Sequence, residues 1–534
     1  MNRFRIVGRL VTETPLHVGN GAVTQRGDGK TPAWPWNDKK KRPAEISAVA
    51  TDANGSAYIP GSTLKGNIRS WLEMRLGATD RDRTKPLFGY LEATNGKHEG
   101  EGGKLEFLDA FCVSEDDLSQ VGRAWDARRK TCVAASVAID RTTRTADADK
   151  LFHYEFVPPG VKFEVAITGQ NLEPSDLELV LLGLEGFNHG LRIGASSGDG
   201  WGQMRWELEK LERLGSGDLA SWIEHAAADG SPGYGGLDAL VSEAELEDLR
   251  AGAVRRLLAL QNQKPVVTAK IELRFQSHFL VNEGSRTWKL NREEQQRDDS
   301  DEHRIPDHAP VRNRNGQAFL PASSFRGALR SQAERIYRTL GGRVDASPAT
   351  PFTHEQIRAL GPIDKLFGCT GWRSPVEISD FEPAAGSDYP EQTQHFVAID
   401  RFTGGGANGK KFDARAVYKP VLHGKLSLDL EALAWSGGGA WSLALMILTL
   451  RDLLEGDVPF GFGSAKGYGA CTARLTDFQV PHPWEAIPDA LRQDLSSGDV
   501  PDLLGAESPN ESMQVFLMYA FDELKTMARQ QGVA

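Results

Sequence analysis

The stretch Tyr58-Ile-Pro-Gly-Ser-Thr-Leu-Lys-Gly-Asn-Ile-Arg69 returns 261 positions later as Phe319-Leu-Pro-Ala-Ser-Ser-Phe-Arg-Gly-Ala-Leu-Arg330. Each copy has a proline turn, a hydroxyl residue, and then apolar and cationic residues at helical spacing. This order predicts the start of a helix. Because both copies keep the same residue types at the same places, they indicate that one folding unit occurs twice.

Three further landmarks recur in the same order. Leu87-Phe-Gly89 matches Leu366-Phe-Gly368, Ala138-Ile-Asp-Arg141 matches Ala398-Ile-Asp-Arg401, and Gly200-Trp-Gly202 matches Gly467-Tyr-Gly469. A constant order at a nearly constant offset predicts a tandem duplication. The chain of 534 residues is long enough for two such units, each with its own core. The predicted boundaries are a first module at 1–206, an acidic helical linker at 207–265, a second module at 266–475 and an acidic C-terminal tail at 476–534.

Composition indicates a globular protein of the cytoplasm. No run of about 18 apolar residues is present, which predicts no transmembrane helix and no membrane partner. The N-terminus enters a strand-like alternation at Phe4 and lacks the apolar core of a signal peptide. The four cysteines are scattered without the paired spacing of a metal site, as expected in a reducing compartment.

The net charge of −11 is unevenly distributed along the chain. Residues 207–249 hold eleven acidic against two basic residues, and residues 476–534 hold ten against three. The rest of the chain, which makes up the two modules, is therefore mildly basic. Since a nucleic-acid surface is a local property, the overall charge does not argue against an RNA partner.

Strands alternate with two long helices in each half of the chain. In the first half, alternation begins at Phe4, helices are predicted from Ser62 or Thr63 onward and over 177–187, and a hairpin-like excursion is predicted over 140–159. In the second half, the corresponding helices are predicted over 323–339 and 440–455, with the excursion over 400–420. This order predicts an α+β fold of two tandem ferredoxin-like, or RRM-like, modules with large loop and hairpin insertions.

The hydroxyl and cationic residues of the repeated helix form a candidate site for RNA phosphate. A helix N-terminus carries unpaired N–H groups that bind anions, and cations four positions apart share one helix face. The alternative is an ordinary capped helix with solvated cations. The candidate residues are Ser62, Thr63, Lys65 and Arg69 in the first module and Ser323, Ser324, Arg326 and Arg330 in the second.

Other candidates for RNA contact lie in the excursions and in the glycine-rich loops. Arg141 and Arg401 close the two Ala-Ile-Asp-Arg segments, and Lys466 lies in the second glycine loop. The aromatic residues Trp201 and Tyr468 have two possible roles. They can stack on bases, or they can belong to the core beside a tight turn.

Taken together, these motifs resemble the RAMP superfamily of CRISPR proteins. Over residues 1–206 and 267–475 the chain looks most like the backbone subunits of type III effector complexes, and its fused modules resemble the subtype D variants. The resemblance implies that each module contacts one stretch of guide RNA and that its excursion is a thumb that displaces a target base pair. It also implies complementary target RNA and other CRISPR effector subunits as partners.

The same resemblance implies cleavage of target RNA by an acidic residue in the loop after the first strand. The second module has Asp307 in Pro306-Asp-His-Ala-Pro-Val-Arg312, fourteen positions before Pro321. The first module departs from the pattern and offers Glu45, or Asp28 and Asp38 further upstream. A loop carboxylate can take the proton of the 2′-OH or bind Mg²⁺ (or Mn²⁺), with Asp307 as the metal ligand.

Three alternatives remain open at this point. Histidine can replace the metal, and His303, His308 and His17 lie near the predicted loops. Both modules can be scaffold without activity, or the chain can be a stand-alone endonuclease that processes guide RNA. The third alternative leaves the duplicated helix motif unexplained.

We expect limited proteolysis of the full chain to cut first between residues 214 and 236. This span combines Gly-Ser-Gly and Ser-Pro-Gly-Tyr-Gly-Gly breaks with acidic residues. Mass spectrometry of the first fragments tests the expectation. First cuts inside either repeated helix would contradict it.

Overall fold

The computed structural model describes both modules apart from several loops and the segments between and after the modules. The described residues are 3–24, 36–37, 42–43, 45–76, 78–94, 97–114, 125–139, 146–214, 243–261, 265–282, 306–313, 315–344, 353–479 and 511–532. Apart from two short stretches, the chain divides near residue 262 into two compact units. Each unit combines sheets with helices, which confirms the predicted α+β class.

The first module contains fourteen described strands and four described helices. The strands are β1 Arg3–Thr12, β2 Gly19–Thr24, β3 Trp36–Asn37, β4 Arg42–Pro43, β5 Ile46–Val49, β6 Tyr58–Ile59, β7 Gly89–Thr94, β8 Lys97–Gly102, β9 Leu105–Phe107, β10 Ala110–Cys112, β11 Cys132–Ile139, β12 Ala146–Phe156, β13 Lys162–Gln170 and β14 Met204–Leu214. The helices are α1 Gly61–Arg75, α2 Ala78–Phe88, α3 Pro174–Glu185 and α4 Glu243–Gln261.

The second module repeats this order with fewer described strands. The strands are β15 Val266–Phe275, β16 His278–Phe279, β17 Val376–Ile378, β18 Glu382–Pro383, β19 Glu391–Ile399, β20 Gly406–Tyr418, β21 Val421–Asp429 and β22 Cys471–Gln479. The helices are α5 Ala322–Thr339, α6 His354–Arg358, α7 Pro362–Phe367, α8 Leu430–Trp435, α9 Ala440–Glu455 and α10 Glu511–Gly532.

The main sheets of the two modules have the same centre. In the first, β1 lies between β13 and β14 and is antiparallel to both, and the sheet continues through β10 to β6. In the second, β15 lies between β21 and β22 in the same way. The last strand of each module carries a register shift against the first, between Val7 and Gly8 and between Lys270 and Ile271. The duplication therefore extends to a local irregularity that the sequence motifs do not show.

Apolar side chains of the helices close the core on one face of each main sheet. In the first module, Ile68 and Leu72 of α1 pack against α3 at Gly183, where an added Cβ would lie 2.6 Å from Ile68. In the second module, Phe325 of α5 stacks on Phe381 and on Phe460 at centroid distances of 4.2 and 5.0 Å. Alternating apolar residues on the strands and a helical apolar stripe produce this two-layer packing.

The predicted glycine loops occupy equivalent places in the two modules. Gly202 and Gly469 have φ values of 74° and 75°. A Cβ at either position would lie 1.9 Å from a backbone oxygen, that of Ile193 or that of Phe460. Only glycine fits such a close backbone approach in the left-handed region. These glycines therefore have a structural reason to recur.

The excursions are long β-hairpins that begin earlier than the sequence predicts. In the second module, β19 and β20 pair antiparallel over most of their length, with the turn at 400–405. In the first module, the corresponding strands are β11 and β12. The Ala-Ile-Asp-Arg segment was expected to open the excursion. In the second module it lies instead at the far end of the hairpin, because the preceding residues already pair as strand.

Two further elements of the first module are not apparent from the sequence motifs. The described part of the polar stretch 22–57 includes β5, which pairs with both β2 and β12. Helix α3 begins at Pro174, three residues earlier than expected, where Glu173 and Asp176 form a reciprocal capping pair. Capping pairs of this kind fix a helix start that apolar periodicity alone does not locate.

A terminal helix covers the apolar helix of each module. Helix α4 lies in the predicted linker and packs on α3, with Ala253 and Leu257 fully buried in the first core. Helix α10 lies in the predicted tail and packs on α9, with Leu524 buried in the second core. Both segments thus contribute to a module core in their helical part. None of the helices that the structure describes is long and apolar enough to cross a membrane.

A buried carboxylate anchors the hairpin of the first module. Glu155 on β12 has a fully buried side chain that accepts hydrogen bonds from Arg129 at 2.6 and 2.7 Å and from Thr131 at 2.7 Å. It also accepts one from the backbone N–H of Val49 on β5. Burial by itself would raise the pKa of Glu155, but these hydrogen bonds and the charge of Arg129 outweigh it and lower the pKa to about 2.

We expect Glu155→Gln to lower the unfolding free energy of this module by about 3 kcal/mol at pH 7, because Arg129 loses its buried partner. The pKa of Glu155 is lower in the folded than in the unfolded protein. The stabilisation by ionised Glu155 is therefore fully present above the unfolded pKa and is lost as the pH falls through the folded pKa. The difference between variant and wild type should therefore shrink between pH 4.5 and about 2. Urea denaturation of the full chain across pH tests this. Glu164→Gln, an exposed change on β13, is the matched control, and an equal effect of both variants would contradict the prediction.

Candidate functional site

The repeated helix starts are occupied by the chain's own carboxylates. Helices α1 and α5 begin directly after Pro60 and Pro321, and neither start has a side-chain cap from its hydroxyl residues. Instead, the N–H of Gly61 donates to Asp109 at 2.8 Å, and the N–H of Ala322 donates to Asp380 at 2.7 Å. A carboxylate at this position satisfies the helix dipole and repels phosphate.

This corrects the predicted phosphate seat. The hydroxyl residues were expected to cap the helices, but they lie inside the first turn. Ser62 and Ser323 are exposed there, and Thr63 and Ser324 are half-buried. The sequence signal that was missed is an aspartate about 50 residues downstream in both modules.

The arginines that end the two motifs hold a glycine carbonyl. Arg69 donates to the carbonyl of Gly89 at 2.8 Å, and Arg330 donates to that of Gly368 at 2.6 Å. These are the glycines of the two Leu-Phe-Gly landmarks, and their φ values are 81° and 78°. The helix motif and the Leu-Phe-Gly motif of each module are thus joined by one hydrogen bond, from the arginine to the glycine carbonyl, which we call the arginine clamp.

The cations that were predicted to bind RNA also have partners within the protein. Arg326 is 8% exposed and donates to the carbonyl of Val376 at 2.8 Å. Arg330 also pairs with Asp364, and Arg69 pairs with Glu73 at 2.7 Å. Lys65 is half-buried on the same helix as Arg69. These contacts give each of the three arginines a role in stabilising the fold.

Asp307 lies at the base of the second hairpin. The segment after it runs parallel to β20, with the N–H of His308 donating to the carbonyl of Asp413 at 3.0 Å. In return, the N–H of Asp413 donates to Oδ2 of Asp307 at 3.0 Å. Asp307 is otherwise exposed. The carboxylate predicted as catalytic is therefore oriented by backbone and open to a ligand.

Asp413 also forms a side-chain pair that the sequence did not reveal. It lies directly opposite His395 in the hairpin, and its Oδ1 is 2.6 Å from Nδ1 of His395. Asp413 is buried and His395 is exposed. Since the two residues are eighteen positions apart in a segment without a recognised motif, only the register of the hairpin could have indicated the pair.

His308 packs as an aromatic ring. It lies between Phe412 and Phe462, at centroid distances of 5.5 and 4.5 Å. Burial lowers the pKa of His308, while Asp307 opposes the shift and Lys466 adds to it. A lowered pKa keeps the ring neutral near pH 7, which fits packing better than proton transfer.

The second glycine loop closes over this aromatic group. Tyr468 is 3% exposed and donates to Gln394 of β19, so it belongs to the core. Lys466 is exposed, and its ammonium lies 5.6 Å from the ring centre of Phe412. In the first module, Trp201 is half-buried and packs edge-on against Tyr154 of the hairpin at 5.1 Å. Both aromatics of the glycine loops therefore support the hairpin base.

The far end of the second hairpin is a tight turn with an exposed aromatic ring. Asp400 accepts hydrogen bonds from the N–H groups of Phe402 and Thr403 at 2.9 and 2.8 Å. These bonds lower the pKa of Asp400. Phe402 is 99% exposed and Arg401 beside it is also exposed. The turn thus exposes an apolar ring beside a cation.

The first module has no carboxylate in the place of Asp307. Residues 46 and 47 run parallel to β12 as residues 307 and 308 run parallel to β20. By this register, and by the 261-position offset of the helix motif, Ile46 corresponds to Asp307. Ile46 is fully buried, whereas Glu45 just before it is exposed. His17 is engaged through Nδ1 by the carbonyl of Glu155 at 2.6 Å.

Several predicted residues lie outside the part of the chain that the structure describes. These are Asp28, Asp38, Arg141 and His303.

The comparison with known families agrees with the duplicated fold. A sequence model with the description "RAMPs: RAMP superfamily" matches residues 9–205, in the first module, and residues 244–472, which begin in α4 and cover most of the second module. Together these regions make up well over half of the chain. No curated protein matches the chain significantly.

We expect Arg330→Gln to destabilise the second module by about 3 kcal/mol, because it breaks the arginine clamp and leaves Asp364 without its cation. RNA affinity of the folded variant should remain that of the wild type. Thermal unfolding and gel-shift titration measure the two effects. The control is Arg335→Gln, an exposed cation on the same helix. Weakened RNA binding by Arg330→Gln at unchanged stability would return this residue to the phosphate site.

Proposed function

Because the chain belongs to the RAMP superfamily, we propose that it is a backbone subunit of a type III CRISPR effector complex. In this role it binds guide RNA together with other effector subunits, and its second module cuts complementary target RNA. Family membership supports an RNA-binding, CRISPR-associated role. The assignment to type III and the cleavage are the parts that this proposal adds.

The observation that carries the cleavage proposal is the position of Asp307. It lies exposed at the base of a projecting hairpin, with one carboxylate oxygen fixed by the N–H of Asp413. A nucleotide displaced by the hairpin would lie unstacked where the hairpin joins the module, next to the carboxylate of Asp307. Cleavage through the 2′-OH requires a sugar free to adopt in-line geometry and a group that takes the proton of the 2′-OH. The exposed carboxylate of Asp307 is suited to taking this proton.

The residues around Asp307 fit a divalent ion that is held mainly by RNA. Within the described residues, Asp307 belongs to no group of three or more potential ligands. In the alternative role of metal ligand, in place of proton acceptor, Asp307 would hold Mg²⁺ or Mn²⁺ with its one exposed carboxylate, and phosphate oxygens and water would complete the shell, as is common for Mg²⁺. A bound ion would supply charge stabilisation to the phosphate.

Contacts to the RNA backbone are proposed for the exposed cations of the hairpin. Lys466 lies at its base and Arg401 at its tip. Both are exposed and separated by the length of β20, so they can follow a strand of RNA that crosses the hairpin. Phosphate contacts of this kind position RNA without reading its sequence.

The first module is proposed as a guide-binding scaffold. It shares the hairpin and the glycine loop, but buried Ile46 stands where Asp307 stands in the second module. The exposed Glu45 is the described carboxylate nearest to that position in sequence. Asp28, Asp38 and Glu45 remain candidates for a second cut, which would require a different arrangement from that of Asp307.

We expect Asp307→Ala to slow one Mg²⁺-dependent cut in target RNA by about 10²- to 10⁴-fold, the usual contribution of a group that transfers a proton. Binding of guide and target should be unchanged, since Asp307 makes its described contact within the module. The measurement uses the assembled complex with end-labelled target, in Mg²⁺ and in EDTA.

Asp388→Asn, which changes an exposed carboxylate of the same module, is the matched control and should cut normally. If the Asp307→Ala complex still yields every wild-type product, the second module is a scaffold as well. A second cut that survives in Asp307→Ala and disappears in Glu45→Ala would instead assign activity to the first module.

A further inference from the structure

His395 and Asp413 form a histidine–carboxylate dyad on one face of the second hairpin. The distance from Nδ1 to Oδ1 is 2.6 Å, and the exposed fractions of the two side chains are 54% and 4%. Both backbone groups of Asp413 are directed away from β19, toward Asp307 and His308. The pair is thus a non-hydrogen-bonded cross-strand pair, in which side chains are closest.

The buried carboxylate fixes the orientation of the imidazole. Asp413 accepts the proton on Nδ1, so that nitrogen is directed inward. The other nitrogen, Nε2, is therefore directed away from the hairpin on the exposed side of the ring. A carboxylate that orients histidine in this way is a common support for acid–base catalysis.

The dyad and Asp307 share one residue. The side chain of Asp413 holds His395, and its backbone N–H holds Asp307. Strand β20 lies between β19, which carries His395, and the segment that carries Asp307. Adjacent strands lie about 4.8 Å apart, so the backbones of these two outer segments are separated by about twice that distance. A phosphodiester between two nucleotides can bridge side chains that project from such positions.

We propose that His395 is the general acid of the target cut, a role that rests on the proposed cleavage by the second module. The 2′-oxygen forms a bond to phosphorus, and the bond from phosphorus to the 5′-oxygen breaks. Asp307 takes the proton of the 2′-OH, and Nε2–H of protonated His395 gives a proton to the leaving 5′-oxygen. The products are a 2′,3′-cyclic phosphate and a 5′-hydroxyl, and solvent restores both side chains.

Other groups at the hairpin base fit this role less well. His308 is held neutral by burial between two phenylalanines. The ammonium of Lys466 is engaged over the rings of Phe412 and Phe462. The dyad is not repeated at the equivalent positions of the first module. At the 260-position offset of the hairpin, Ala135 and His153 take the places of His395 and Asp413.

The test compares two targets in the assembled complex. One is ordinary RNA, and the other carries sulfur in place of the 5′-oxygen at the cut. A thiolate leaves without being protonated, because a thiol is far more acidic than an alcohol. We expect His395→Ala to slow the cut of ordinary RNA by about 10²- to 10³-fold, and to cut the sulfur target at close to the wild-type rate.

Three variants make the result decisive. His395→Gln keeps the size of the ring and should show the same selective loss if the alanine variant proves unstable. His423→Ala, an exposed histidine on β21, should cut both targets normally. Asp413→Asn retains the backbone N–H that holds Asp307 but leaves the imidazole without its carboxylate, so it should slow ordinary RNA more than the sulfur target.

The outcomes separate this inference from the proposed function. If Asp307→Ala leaves the cut intact, the proposed function fails whatever His395 does. If Asp307→Ala abolishes the cut but His395→Gln slows neither target, only the role of His395 is overturned. An equal loss on both targets would also overturn it, since that result indicates a structural role.

Discussion

The arginine clamp is the interaction on which the architecture of both modules depends. A guanidinium from the first helix reaches the carbonyl of a glycine that follows the next helical piece, at 2.8 Å in one module and 2.6 Å in the other. The glycine needs its positive φ to turn the chain, and the turn places the downstream strand beside the sheet. That strand region supplies Asp109 or Asp380 to the helix start. Two hydrogen bonds in each module thus tie the helix to the turn and to the sheet edge.

Sequence predicted the duplication and the fold class because both depend on motifs that are local in the chain. The Phe319–Arg330 copy located α5, and the resemblance to the RAMP superfamily singled out Asp307, fourteen positions before Pro321, as the acidic residue of the loop after the first strand. The same reasoning did not reveal the intramolecular partners of the arginines, because a sequence shows a charge but not its partner. Arg326 is a buried donor to a backbone carbonyl, and nothing in its neighbours along the chain indicates that.

The residues that complete the candidate site lie far from Asp307 in sequence. Asp413 follows it by 106 positions and is brought to it by the pairing of β20 with the loop. Its partner His395 depends on the register of a hairpin whose start was predicted too late. Pairing register decides which residues meet, and a shift of one residue turns every side chain to the other face. Sequence reasoning therefore located the loop but not its neighbours.

The terminal helices have a consequence for folding during synthesis. Ala520, Leu524 and Ala528 complete the core of the second module, and Glu523 accepts a hydrogen bond from the N–H of Trp441 at the start of α9. The first module receives its covering helix by residue 261. On the ribosome, the first module can close while the second is still being translated, because domains fold as their segments emerge. The apolar side of α9 stays uncovered until α10 has emerged, so the second module completes its core later than the first.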